Sequence, residues 1–278
     1  MSLFITALAS GSNGNCYYVG NEKEAVLVDA GVSCKEIEKR MSRLHLSIQK
    51  VKAIFISHEH SDHIKGVAVL SRKYKLPVYI TTATLRHGRL WLDKELIYSF
   101  NDIEPTFIGE LMITAFPKHH DAADPYSFMI TCKGVRIGVF TDLGTPCNRL
   151  LHHFSQCHAA FLESNYDEQM LESGSYPYVL KRRISGDKGH LSNKQALEVF
   201  TRHRPSYMSH LFLSHLSKNN NCPKLVSKLF NEHAHGTQIV VASRYEETPV
   251  YSISDHSSLN IKSFPASFPK PQLEFAFS

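Results

Sequence analysis

The amino-acid sequence predicts an α/β protein in which two β-sheets pack face to face, with helices on the outer sides. Short apolar strands alternate with helices, and this order is repeated in the two halves of the chain. The 278 residues are enough to bury a substantial core, and 42% apolar and 21% charged residues are ordinary proportions for a globular protein.

The first half of the chain contains apolar runs of strand length that are separated by polar turns. Strands are predicted over residues 3–9, 16–20, 25–29, 51–57 and 77–81. A helix is predicted over 33–44, because Ser33 is a suitable N-cap and Glu36 follows three residues later. A second helix is predicted over about 64–74.

The second half repeats this alternation of strands and helices. Strands are predicted over residues 107–116, 126–132, 135–141, 159–162, 207–214 and 238–242. A helix over 192–202 begins with Ser192 as N-cap and Gln195 at the capping-box position, and another helix is predicted over 223–233.

Charge and cysteine content limit the class of protein. The net charge of +5 is compatible with a polyanionic partner but does not require one. Six scattered cysteines without a CxxC pair argue against a disulfide framework and fit a reducing compartment. The N-terminus lacks the features of a signal peptide, and no apolar run is long enough to span a membrane. We therefore expect a cytoplasmic protein without membrane association; the oligomeric state is not predicted.

A dense group of metal-ligand side chains follows the strand that ends at Ser57. It reads His58-Glu-His60-Ser-Asp62-His63. Imidazole and carboxylate ligands suit zinc, manganese or iron, and a loop at a strand end can direct them to one point. The alternative is a solvated polar loop, which the constrained spacing disfavours.

Further ligand-type residues stand directly after later apolar strands. His119 and His120 follow one strand, Asp142 follows another and His215 follows a third. Recurrence at strand ends is what a site along one edge of two packed sheets requires.

The order HxHxDH, His, Asp, His resembles that of the metallo-β-lactamase superfamily. Finer details resemble its YycJ/WalJ group: the opening LASGSNGNCY, HDAADP at 120–125, FTDLG at 140–144, LESNYDEQML at 162–171, RRISGDKGHLSN at 182–193 and LSHLSKNNN at 213–221. The resemblance covers about residues 1–253 and implies an αββα sandwich of two mixed sheets flanked by helices. Members are described as 5′-to-3′ DNA exonucleases linked to repair, which implies a nucleic-acid partner, with DNA favoured over RNA.

The resemblance also implies two divalent metal ions, Zn²⁺ or Mn²⁺. One would be held by His58, His60 and His120, the other by Asp62, His63 and His215, with Asp142 bridging both. His119 is the alternative to His120, which is preferred because it precedes Asp-Ala as in the family.

The implied chemistry is phosphodiester hydrolysis by a hydroxide held between the metals. By resemblance to tRNA-maturation nucleases of this fold, His190 would protonate the leaving oxygen and Glu163 would keep its imidazole protonated. Asp62 is assigned a catalytic role besides its role as a ligand. The alternative is that Glu163 and His190 only brace the GHLSN turn.

Two segments are candidates for substrate contact. Lys181, Arg182 and Arg183 precede GHLSN and suit a phosphate backbone, unless they form a solvated helix face. Ser12, Asn13 and Asn15 lie on a Gly-rich turn that could bind phosphate or could merely join two strands.

Residues 254–278 are rich in Ser and Pro and are predicted to form a flexible tail after the catalytic domain of residues 1–253. Gln272, Leu273, Phe275 and Phe277 resemble the short peptides that dock bacterial repair proteins on the sliding clamp. The alternative is an amphipathic tail that folds back on the domain.

Other functions remain open at this stage. The same metal site could serve an RNA-processing nuclease or a thioester or lactone hydrolase, since fold does not fix the substrate. The short interval between Asp142 and His215 leaves no room for the extra domain that many RNA-processing relatives insert there. A non-catalytic metal-binding regulatory protein is a more remote alternative, which the complete ligand set disfavours.

Overall fold

A computed structural model describes residues 2–255 of the chain. The strands of this part form two seven-stranded mixed sheets, each with an antiparallel half and a parallel half. This confirms the two packed sheets that the sequence predicts.

The first sheet contains the strands of the first half and the last strand described. They are β1 (Ser2–Ala9), β2 (Cys16–Gly20), β3 (Ala25–Val28), β4 (Val51–Phe55), β5 (Val78–Tyr79), β6 (Ile97–Tyr98) and β14 (Tyr251–Ser254). The order is β14-β1-β2-β3-β4-β5-β6. Pairing is antiparallel from β14 to β3 and parallel from β3 to β6.

The second sheet repeats this plan with the remaining strands. They are β7 (Thr106–Ile108), β8 (Leu111–Pro117), β9 (Tyr126–Cys132), β10 (Val135–Phe140), β11 (Ala159–Glu163), β12 (His210–Ser214) and β13 (Gln238–Val241). They pair side by side in chain order, antiparallel from β7 to β10 and parallel from β10 to β13.

The helices connect the strands. They are α1 (Cys34–Arg43), α2 (Ser61–Ile64), α3 (Val67–Tyr74), α4 (Thr82–His87), α5 (Asn148–Phe154), α6 (Glu168–Ser173), α7 (Tyr178–Ile184), α8 (Asn193–His203) and α9 (Pro223–Asn231). The Ser33 side chain accepts the Glu36 N–H, and Ser192 with Gln195 forms a complete capping box. Both predicted helix starts are confirmed.

Three apolar clusters define four layers. The central cluster joins the inner faces of the sheets, with Phe55 and Tyr17 from the first and Phe128 and Phe161 from the second. A second cluster lies between the outer face of the first sheet and helices α1 and α3. A third packs α5, α8 and α9 on the outer face of the second sheet. The fold is therefore the αββα sandwich.

Several element boundaries differ from the sequence prediction. The predicted strand 107–116 is a hairpin of β7 and β8, which turns at Gly109 and Glu110. The predicted helix 64–74 is divided into α2 and α3. The division lies at Gly66, because its N–H bonds to the Ala30 carbonyl at 2.7 Å and a Cβ there would lie 2.1 Å from the Val32 oxygen.

The C-terminal end of the domain is set by β14, which the sequence does not reveal. Its Ser254 pairs with Ser2, so the sheet reaches one residue past the expected boundary at 253. The tail interpretation and the clamp-binding residues Gln272, Leu273, Phe275 and Phe277 lie outside the described residues. Within residues 2–255, no helix combines the length and apolar character needed to cross a bilayer.

Candidate metal centre

The predicted ligands converge at one edge of the sandwich, just beyond the ends of four strands. His58 follows β4, His120 follows β8, Asp142 follows β10 and His215 follows β12. Asp142 and His215 have left-handed backbone conformations, with φ of 55° and 56°. Non-glycine residues adopt this region only when the surroundings stabilise it, and such strain is concentrated at functional sites. Here it turns the chain sharply after each strand.

Three histidines form the first group of ligand atoms. His58 Nε2 lies 3.1 Å from His60 Nδ1, which lies 3.3 Å from His120 Nε2. The opposite nitrogens of two rings are held from behind: His58 Nδ1 by the Ser57 hydroxyl at 2.9 Å, and His120 Nδ1 by the Gly189 carbonyl at 3.1 Å. These contacts fix the ring orientations and direct Nε2 into the cluster.

The second group contains Asp62, His63 and His215. Asp62 Oδ2 lies 3.5 Å from His63 Nε2 and 3.4 Å from His215 Nε2. Asp142 stands between the groups, because its Oδ2 lies 3.1 Å from His63 Nε2 and its Oδ1 lies 3.8 Å from His120 Nε2. All seven predicted ligands are thus brought together in the arrangement that the sequence suggested.

The exposed His119 is excluded from the cluster. Its side chain points away, while its carbonyl accepts the Gly144 N–H at 2.8 Å. His120 is buried and faces the other ligands. Of the two candidates, the structure favours His120.

Asp29 is a supporting residue that the sequence reasoning missed. It is fully buried at the end of β3, with φ of 61°, and its Oδ2 lies 2.7 Å from His63 Nδ1. The same carboxylate accepts hydrogen bonds from the N–H and the hydroxyl of Ser57. Asp29 therefore orients the ligand His63 and anchors the loop that carries His58. The only signal in the sequence is a carboxylate at the end of an apolar strand.

We expect Asp29→Asn to lower metal affinity by about 10- to 100-fold, because partners that orient ligating histidines contribute to affinity in that range. The amide presents an N–H where His63 and Ser57 need acceptors. Competition with a calibrated chelator measures the dissociation constant. Asp187→Asn, on an exposed loop, is the control. Wild-type affinity in Asp29→Asn would refute the orienting role.

Asn15 also supports the centre, which corrects its predicted role in substrate contact. It is completely buried, and its Nδ2 lies 3.2 Å from Asp62 Oδ2 and 3.1 Å from His63 Nε2. Its Oδ1 accepts from the Gly11 N–H and the Tyr17 hydroxyl. Asn15 is thus committed to holding the ligands, whereas its neighbours Ser12 and Asn13 are exposed.

The electrostatics of the cluster indicate a deficit of positive charge. Burial lowers the pKa of His215, but Asp142, Asp62 and Glu163 outweigh it and raise that pKa to about 10. The pKa of His63 is likewise raised, against burial, by Asp142, Asp29 and Asp62. In the chain alone these histidines would take up protons to balance the carboxylates. Cations in the same place would supply that charge.

The first group has the opposite tendency. Burial, with His63 and Lys118, lowers the pKa of His58 well below its ordinary value. Burial also lowers the pKa of His120 to about 4, although Asp142 opposes the shift. Neutral imidazole is the form that binds metal, so these rings are already in their ligating state.

The residues fit divalent metal ions on a direct structural criterion. Asp142 Oδ2 and His215 Nε2 are buried and make no hydrogen bond within the described residues. Buried polar atoms are rarely left without a partner, and both atoms lie on the inner face of the ligand cluster. Imidazole and carboxylate ligands match zinc or manganese. We therefore identify the cluster as a metal centre.

Glu163 and His190 lie beside this centre. Glu163 Oε1 lies 2.8 Å from His190 Nδ1 and 2.9 Å from His215 Nδ1. Burial raises the pKa of Glu163, but His190 and the two hydrogen bonds outweigh it and lower that pKa to about 2, so the group is an anion. The His190 side chain is 21% exposed, so it is reachable from solvent. Since Nδ1 contacts Glu163, Nε2 is the nitrogen available to a substrate.

Glu163 also contacts the backbone. Its Oε2 accepts the N–H groups of Leu143 at 2.6 Å and Leu191 at 3.2 Å. Both proposed roles, support of the GHLSN turn and orientation of His190, are therefore compatible with the geometry.

The basic run lies on α7. Arg182 and Arg183 are exposed, and Lys181 donates to the Glu172 carbonyl at 2.5 Å. Arg183 Nε donates to Asp121 Oδ2 at 2.5 Å, which connects α7 to the residue after the ligand His120. The helix is thus placed next to the first group of ligands.

Comparison with known proteins agrees with this geometry. Residues 24–215 match the model of the β-lactamase superfamily domain. The chain is 38% identical over 245 residues to exodeoxyribonuclease YycJ of Bacillus anthracis, covering 85% of this chain and 92% of the relative. It is 35% identical over 225 residues to exodeoxyribonuclease WalJ of Streptococcus pneumoniae, covering 78% and 83%.

The fold has a solved counterpart in the metallo-β-lactamase fold protein YhfI from Bacillus subtilis. The TM-score is 0.70 at 16% identity, covering 91% of this chain and all of that one. Fold, ligand cluster and relatives together make this protein a metal-dependent hydrolase. The chain belongs to the β-lactamase superfamily and, within it, to the group that contains YycJ and WalJ.

Proposed function

We propose that this protein is a two-metal 5′-to-3′ exodeoxyribonuclease that acts in DNA repair in the cytoplasm. The observation that carries the proposal is the position of Asp142, whose two carboxylate oxygens face the two separate groups of ligands. The exodeoxyribonuclease names of relatives that align over most of their length support DNA as the substrate.

The number and identity of the metals are part of this proposal. His58, His60 and His120 would hold one Zn²⁺ or Mn²⁺, and Asp62, His63 and His215 would hold the other. When bound, two such ions supply an activated hydroxide and neutralise the charge that develops on the phosphoryl group.

The chain itself supplies the remaining catalytic groups. His190 Nε2 would donate a proton to the leaving 3′-oxygen, while Glu163 holds the ring at Nδ1 and stabilises its charged form. Asp62 would act through its position in the second group, and Asn15 keeps its carboxylate in place.

The DNA backbone would approach over α7. Arg182 and Arg183 are exposed beside the centre and would neutralise phosphates. Lys181 would contribute less, because its ammonium group is already bound to a backbone carbonyl. Ser12 and Asn13 are the exposed residues of the Gly-rich turn and remain candidates for substrate contact. Docking of residues 272–277 on the sliding clamp remains a prediction from sequence.

Duplexes labelled at the 5′ or the 3′ end test the proposal. Metal-stripped protein is reloaded with Mn²⁺ or Zn²⁺ and incubated with DNA and with RNA of the same sequence. We expect labelled mononucleotide to appear at once from the 5′-labelled DNA, and more slowly from RNA. Internal cleavage, faster digestion of RNA, or no hydrolysis with either metal would overturn the proposal.

A further inference from the structure

A pocket adjoins the metal centre on the side of His215. It has a volume of about 430 Å³, within the range of small-molecule sites, and it lies where the loops after β12 and β13 meet the end of β1. Ser10 lines it, and the Ser10 hydroxyl accepts the His215 N–H at 2.8 Å. A molecule in the pocket would therefore lie next to a metal ligand.

The walls of the pocket are fixed by hydrogen bonds between distant segments. The Ser10 N–H donates to the Ser243 carbonyl at 3.2 Å, and the Ala242 N–H donates to the Leu213 carbonyl at 2.9 Å. Arg40 donates to the Tyr245 carbonyl at 3.0 Å. The pocket is thus formed before any ligand arrives, which lowers the entropic cost of binding.

The lining carries an excess of positive charge. Lys218 and Arg244 line the pocket with Glu246 as the opposing charge. Within residues 2–255, neither cation makes an ion pair. Arg244 is partly buried, and its Nη2 donates to the Leu216 carbonyl at 2.6 Å. An arginine held in this way has donors left for an anion such as phosphate.

The Gly-rich turn after β1 positions Arg244. Asn13 Nδ2 donates to the Arg244 carbonyl at 3.3 Å. A Cβ at Gly11 would lie 3.2 Å from Arg244 Cβ and 3.3 Å from its Nη2, so glycine allows the arginine to pack against the turn. The turn therefore shapes the pocket, and Tyr245, which is 72% exposed on its lining, offers a ring on which a base can stack.

We propose that this pocket receives the terminal nucleotide of the DNA strand, with its 5′-phosphate on Arg244 and Lys218 and its base against Tyr245. The inference rests on the proposed nuclease function. Because α7 contacts Asp121 next to His120, whereas the pocket adjoins His215, a strand could cross the metals from the helix to the pocket. A closed site for a phosphorylated end explains why hydrolysis would begin at the terminus.

The test compares a 5′-phosphorylated duplex with its 5′-hydroxyl counterpart. Metal-free protein allows binding to be measured by fluorescence anisotropy without hydrolysis, and Mn²⁺-loaded protein gives the initial rate of release of the first nucleotide. We expect at least about tenfold preference for the phosphorylated end, since charge-assisted hydrogen bonds contribute effects of this size. Lys218→Ala and Arg244→Ala should each reduce that preference and leave the 5′-hydroxyl substrate unaffected.

Lys224→Ala, an exposed lysine on the nearby α9, is the control for a general loss of positive charge and should keep the preference. Lys218 is itself exposed, so its variant remains informative if Arg244→Ala does not fold. Wild-type protein that digests both DNA ends equally would overturn the pocket proposal but leave the nuclease intact. Failure to digest any DNA would overturn the nuclease proposal instead, while the binding preference still reports on the pocket.

Discussion

Asp142→Ala is expected to reduce DNA hydrolysis by at least about 10³-fold and to lower the bound metal below two ions per chain. The carboxylate faces both groups of ligands, so its loss weakens both metal sites at once. Metals contribute several kcal/mol of charge stabilisation in the transition state, and each 1.36 kcal/mol corresponds to a factor of ten in rate.

The measurement pairs initial rates with metal content by elemental analysis. Asp124→Ala is a suitable control, because Asp124 lies on the loop of His120 but outside the ligand groups. It should keep two ions and the wild-type rate. An Asp142→Ala protein that retains both ions and full turnover would show that the carboxylate does not bridge them.

His190→Ala is expected to lower turnover by about 10²- to 10⁴-fold at unchanged metal content, as is typical when a general acid is removed. His190 lies outside the two ligand groups and reaches the centre through Glu163. The control is His119→Ala, which removes an exposed imidazole beside His120.

The leaving group separates proton donation from mere support of the GHLSN turn. Hydrolysis of a nitrophenyl phosphodiester needs little protonation of its leaving group, so His190→Ala should retain most of its activity on this substrate. An equal loss on DNA and on the nitrophenyl ester would contradict the role as proton donor and favour a structural role.

The ligands were predictable from sequence because each stands at a recognisable strand end. The HxHxDH spacing after β4, and single ligand residues after β8, β10 and β12, locate one edge of the sandwich. Strand alternation and the cap at Ser192 likewise depend on neighbouring residues. Such local patterns are visible without a structure.

The residues that orient the ligands were not predictable in this way. Asp29 contacts a histidine that is 34 positions later, and Asn15 contacts the same histidine across 48 positions. The pocket beside His215 requires Ser10 and Arg244, from opposite ends of the domain, to meet. The break between α2 and α3 depends on contact of Gly66 with the 30–32 backbone. Each feature arises from packing between distant segments.

Crystals of the Mn²⁺-loaded protein provide the most direct measurement of the metal centre, because anomalous scattering locates each ion. We predict two peaks about 3.5–4 Å apart, as in other two-metal hydrolytic sites. One should contact His58, His60 and His120, the other Asp62, His63 and His215, with Asp142 bound to both. A single peak, or an Asp142 that contacts only one of two ions, would contradict the shared two-metal centre.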